Sequence, residues 1–110
     1  MTASTAAISH LEPGDSLEDA VGTDETVIVD FHATWCGPCK QMEPVLEALA
    51  ESTDARVVKV DVDQNQELAA QFQVRGVPTI LIYADGDQVE RLVGYQPEPV
   101  LRETVEQHAD

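Results

Sequence analysis

33-ATWCGPCK-40 holds both cysteines of the 110-residue chain, three positions apart. As a structural bridge the pair is a poor staple: closing so short a loop is worth only about 2 kcal/mol in the chain-entropy model, against about 4.7 for a loop of a hundred residues. A reducing cytosol disfavours a structural disulfide as well. A Cys-x-x-Cys pair has three common uses: half of a metal site, a structural link, or a redox dithiol. A tetrahedral zinc site needs about two further ligands. The chain offers His10, His32 and His108, none of them spaced as a second pair.

The flanks of this loop set the fold. Upstream, 26-TVIVDF-31 is β-branched and almost wholly apolar, which predicts a strand buried on both faces, as at the centre of a parallel or mixed sheet. Asp30 interrupts that run. Downstream, Cys39, Met42, Leu46 and Leu49 recur at helical spacing and predict a helix over 37–51, kinked at Pro44. The alternation repeats, with a strand at 56-RVVKVDV-62 and a helix at 65-NQELAAQFQV-74 capped by Asn65, a βαβ rhythm with a right-handed crossover.

The rest of the chain changes pattern. Two alternating runs in 79-TILIYADGDQVERLV-93 meet at Asp85-Gly86, a hairpin signal that makes the second half of the sheet antiparallel. A short strand is expected at Ile8 to Leu11. A short helix follows in 13-PGDSLEDAVG-22, with Asp15 or Ser16 as N-cap and Gly22 as stop. A last helix is expected in 97-PEPVLRETVEQHA-109, with Val100, Leu101, Val105 and the alkyl part of Arg102 on one face. The fold class is α/β: a mixed sheet of about five strands flanked by about four helices, one domain over 1–110 with 1–6 as a flexible tail.

Composition narrows the setting. Twenty-one acidic residues face six basic ones, a formal charge of −15, so nucleic acid and anionic membrane are excluded as expected partners. No apolar run reaches the roughly 20 residues of a membrane span, and MTASTAAISH lacks the basic and hydrophobic regions of a signal peptide. The expected location is cytoplasmic. The acids spread from Glu12 to Asp110 while lysine is reduced to Lys40 and Lys59, a pattern that fits a salt-rich cytoplasm, as in halophiles, better than one docking patch.

The redox use explains the loop's own residues. Cys36 sits just before a helix, where unpaired N–H groups and the positive dipole end favour the thiolate and lower its pKa from the free value of about 8.5. Cys39 lies one turn in, on the apolar face, and is expected to be buried. Cys36 is then the exposed attacker and Cys39 the resolver. Gly37 permits a tight turn, and Pro38 presets a helical φ and removes an N–H that would lack a partner anyway.

Trp35-Cys36-Gly37-Pro38-Cys39-Lys40 after a buried strand resembles the active site of the thioredoxin family. The stretches 29-VDF-31, 59-KVDVDQN-65 and 75-RGVPTI-80, with Gly94, stand where that family has counterparts, so the resemblance covers nearly the whole chain. It implies a monomeric protein-disulfide reductase acting on disulfide-containing protein substrates, recycled by a separate NADPH-dependent thioredoxin reductase. No cofactor is expected on this chain, which has no G-x-G-x-x-G motif.

The resemblance also implies residue roles. Asp30 becomes a buried acid that relays a proton from Cys39, and Lys59 its partly compensating charge. Val77-Pro78 becomes a cis bond facing the cysteines, with the Val77 backbone free to pair with an extended substrate segment. Trp35, Gly37, Pro38 and Gly94 join that substrate surface. His32 departs from the family, many members of which carry Trp there, and is read as a satisfied histidine rather than a titrating one. Two alternatives stay open: an oxidase or isomerase on the same fold, and a binding module indifferent to its thiols.

Overall fold

The computed structural model describes residues 8–108; the expected tail at 1–6 lies outside them. Five strands form one sheet in the order β1-β3-β2-β4-β5: β1 (Ile8–His10), β2 (Thr26–His32), β3 (Arg56–Asp61), β4 (Thr79–Ala84) and β5 (Asp87–Val93). Among the described residues four helices accompany it: α1 (Leu17–Val21), α2 (Gly37–Ser52), α3 (Gln66–Gln71) and α4 (Glu98–His108). β3 pairs in parallel with both β1 and β2, whereas β2–β4 and β4–β5 are antiparallel. The sheet is thus mixed, as the two sequence patterns require.

β2 is central and sealed. Val27, Ile28, Val29, Asp30 and Phe31 are all fully buried, and because successive side chains point to opposite faces they divide between two cores. Ile28 packs with Met42, Leu46, Leu49, Ile80, Ile82, Leu101 and Val105 under α2 and α4. Val27, Val29 and Phe31 pack with Leu17, Val21, Val58 and Val60 under α1, with Leu68 and Phe72 of the α3 region at the margin. Asp30 shares the parity of Ile28, so it belongs to the α2 side. That placement follows from strand geometry alone.

Local signals explain most element ends. Ser16 caps α1 by accepting the Asp19 N–H at 3.2 Å. Asp85 and Gly86 both have positive φ (53° and 84°), as a two-residue type I′ hairpin turn requires. α2 runs through Pro44 as one helix.

Three expectations need correction. The helix expected over 65–74 is only Gln66–Gln71: the chain turns left-handed at Gln73 (φ 57°), and the Arg91 guanidinium takes the carbonyls of Phe72 and Gln73 at 2.9 and 2.8 Å. Asn65 occupies the N-cap position but makes no side-chain cap; its amide donates to the Asp61 carbonyl at 3.0 Å instead. On α4, Leu101 and Val105 are buried but Val100 is exposed, because the helix has one sheet-facing stripe too narrow to include it.

Candidate active site

Cys36 is the N-cap of α2 and Cys39 lies one turn inside it. The Cys39 backbone N–H donates to Cys36 Sγ at 3.1 Å, so an otherwise orphan helix-end donor is aimed at the first sulfur. The two sulfurs are joined as a disulfide, with the Cα atoms 5.3 Å apart. Pro38 stands in the first turn, where its missing N–H costs nothing. Gly37 is not in the left-handed region, and a Cβ there would meet nothing within 4 Å. Glycine permits this turn without being demanded by it, and leaves open space beside Cys36.

The contrast expected between an exposed and a buried cysteine is also corrected. Cys36 is 4% exposed and Cys39 3%, since Ala33, Val62 and Val77 pack around both. What distinguishes the sulfurs in this state is helix position, with the N–H on Cys36, and not solvent access.

The loop before β4 closes one side of the pair. Val77-Pro78 is cis, and the Val77 carbonyl oxygen lies 3.6 Å from Cys36 Sγ. Gly94 (φ 92°) donates its N–H to the Pro78 carbonyl at 2.8 Å, tying the chain after β5 to this loop. Trp35 is 68% exposed while its indole N–H donates to Asp63 at 2.8 Å, so the ring is fixed without being covered. Trp35, Val62, Val74, Arg75, Gly76 and Val77 line a shallow groove beside the cysteines.

Behind the pair lies the buried acid. Asp30 is level with Lys59 in the β2–β3 register, and Lys59 Nζ is 4.0 Å from Asp30 Oδ2. Neither Asp30 oxygen has a hydrogen-bond partner among the described residues. Burial pushes the Asp30 pKa up to about 7, with Lys59 opposing and Glu43 reinforcing the rise. The Lys59 ammonium is shared: Glu43 Oε2 on α2 lies 3.6 Å away. His32 is half-buried, and burial followed by the nearby Lys59 charge lowers its pKa.

Sequence reasoning missed Glu43 and Asp63. Glu43 stands four residues after Cys39, on the margin of the apolar stripe, a position from which it was recoverable. Asp63 meets Trp35 across 28 positions, and no local pattern signals that contact. Among the described residues no three His, Cys, Asp or Glu side chains cluster as a metal site, and no helix is long and apolar enough to cross a membrane.

A family model described as Thioredoxin matches residues 10–107. The thioredoxin of Staphylococcus saprophyticus is 49% identical over 83 residues, covering 74% of this chain and 80% of that protein. Among solved structures, a mutant thioredoxin from Halobacterium salinarum is 47% identical with a TM-score of 0.87, covering 94% of this chain and 91% of the other. A thioredoxin from Nicotiana alata is 35% identical with a TM-score of 0.84, covering 94% of each chain.

Proposed function

Since the chain belongs to the thioredoxin family, we propose a division of labour within its site for the family's reaction. The activity is protein-disulfide reduction by exchange through Cys36 and Cys39. The observation that carries the assignment of roles is the N–H of Cys39 aimed at Cys36 Sγ, which favours a thiolate at the helix end.

In the reduced protein the Cys36 thiolate attacks one sulfur of a substrate disulfide. One S–S bond forms, one breaks, and the substrate's other sulfur leaves as a thiolate. Cys39 then loses its proton to the Asp30 carboxylate and attacks Cys36 Sγ. The second substrate thiolate departs, the Cys36–Cys39 bridge closes, and the substrate has gained two electrons. A buried carboxyl with a pKa of about 7 is half ionised near neutrality, which suits a proton acceptor. Lys59 moderates its charge.

Trp35, Gly37, Pro38, Val77, Pro78 and Gly94 form the surface on which the substrate chain lies, with the Val77 backbone as its pairing edge. A separate thioredoxin reductase returns the electrons, and the protein works as a cytoplasmic monomer. The charge of −15 and the likeness to a halobacterial protein support adaptation to a salt-rich cytoplasm. The test is reduction of insulin with dithiothreitol as electron source. The wild type should accelerate it and the double variant Cys36→Ser, Cys39→Ser should not; equal rates would reject the exchange chemistry and favour a binding module.

A further inference from the structure

Lys59 lies between two carboxylates of opposite character. Asp30, 4.0 Å away, has no exposed side-chain surface, whereas Glu43, 3.6 Å away, has 53% of its side chain exposed. The lysine itself is 9% exposed, and it lines a small cleft with Ile8, His10, Glu43, Leu46 and Glu47. We propose that Glu43 is a positioning residue for the exchange reaction: it engages Lys59 from the solvent side and so limits how much of that positive charge reaches Asp30. The inference rests on Asp30 being the proton acceptor for Cys39.

The physical basis is competition for one cation. An ammonium satisfied by a hydrated carboxylate has less to offer a second carboxylate that lacks any hydrogen bond of its own. Without Glu43, Lys59 would be drawn to Asp30 alone, the ionised form would be favoured, and the base would weaken. The other groups around Asp30 do not compete for that role. His10 on β1 is level with Lys59. His32 shares β2 with Asp30, and Asp61 on β3 is level with it. α2 supplies Cys39, Glu43 and Glu47. β4 presents Ile80, and α4 presents Leu101 and Val105, none of which carries charge. Among these acids, Glu43 is the one within ion-pair distance of Lys59 besides Asp30.

The experiment titrates Asp30 directly, by carboxyl-carbon NMR on the oxidised protein, where no catalysis is involved. In Glu43→Gln the Asp30 midpoint should fall, with proton affinity reduced about twofold to fivefold, the range of a partly exposed ion pair. Glu47→Gln, which removes a carboxylate from the same cleft without touching Lys59, should leave it in place. In a Lys59→Met background the effect of Glu43→Gln should shrink to what direct repulsion between the two carboxylates contributes. An unmoved midpoint in Glu43→Gln, an equal fall in Glu47→Gln, or an undiminished fall without Lys59 would each overturn the proposal. The pH midpoint for release of substrate from the mixed disulfide should follow the Asp30 midpoint downward. If Asp30 shifts and release does not, the coupling stands and the proton-acceptor role of Asp30 is what fails.

Discussion

Lys59 Nζ stands 4.0 Å from Asp30 Oδ2 across neighbouring parallel strands, too far for a good hydrogen bond. Burial therefore dominates, and Asp30 keeps its proton up to about pH 7 instead of 3.8. An unfolded chain releases that proton near the lower value, so between the two the unfolded state binds fewer protons. Raising the pH through this window favours unfolding. The Asp30 contribution is fully present below about pH 4 and lost by about pH 7, at about 1.4 kcal/mol per pH unit and on the order of 4 kcal/mol in all. Asp30→Asn should remove that slope. Denaturant titrations should show the variant gaining on the wild type from pH 4 to 7 while its insulin reduction at pH 7 slows. A constant difference across the window would contradict a buried, protonated Asp30.

The cysteines differ by one donated N–H and one helical turn, not by exposure. Iodoacetamide at neutral pH should therefore modify Cys36 of the reduced protein at least about tenfold faster than Cys39, the scale set by a favoured thiolate against an ordinary thiol. Cys39→Ser keeps the attacker and removes the resolver, so it should accumulate a substrate adduct on Cys36, visible as a band on a non-reducing gel. Equal labelling, or no adduct, would reverse or abolish the assigned roles.

Gly94 is held at φ 92° with its N–H on the Pro78 carbonyl, and a Cβ there would meet nothing within 4 Å. The cost of Gly94→Ala is then backbone strain, about 1–2 kcal/mol, and not a clash. Thermal melts should fall by about 4–8 °C per kcal/mol in a chain of this size. The KM for a protein substrate should rise as the loop at Val77 and Pro78 loses its tie. A melting temperature equal to the wild type's would show that this chain segment relaxes freely.

What was legible in the sequence was local. The sealed strand 26–31, the helix beginning at the cysteine loop and the Asp85-Gly86 turn are each written in residues that touch along the chain. Where sequence and structure differ, a partner that neither periodicity nor residue type registers decides the outcome, whether near in the chain or far. Arg91 ends α3 from 18 and 19 residues away, so periodicity alone extended that helix. Asn65 looked like a cap because its type favours one, but the Asp61 carbonyl claimed its amide. Exposure of Cys36 was inferred from its role, whereas the packing of Val62 and Val77 determines it. The Asp30–Lys59 pairing came from family resemblance; the third charge, Glu43, is particular to how α2 crosses that pair.

The net charge of −15 sets the last prediction. Of the six basic side chains, Arg56 is paired with Glu25, Lys59 with Asp30 and Glu43, and Arg102 with Glu98, while Arg91 is occupied by backbone carbonyls. Among the described residues most acids are left without a cation, and the 21 acids are distributed along the chain. Such a surface repels itself, and the compact state suffers more than the expanded one. Salt relieves this: the Debye length falls from about 10 Å at 0.1 M to about 3 Å at 1 M, shorter than the gaps between neighbouring carboxylates on a surface. The melting temperature should rise as KCl increases from about 0.1 to 2 M, most steeply at the low end where screening changes most. Replacing several exposed acids away from the site, such as Glu12, Asp24, Glu51 and Glu106, by their amides should raise the low-salt melting temperature and flatten the rise. A melting temperature that stays level or falls with KCl would mean that self-repulsion is not what limits this fold, and would redirect attention to a localised acidic docking face.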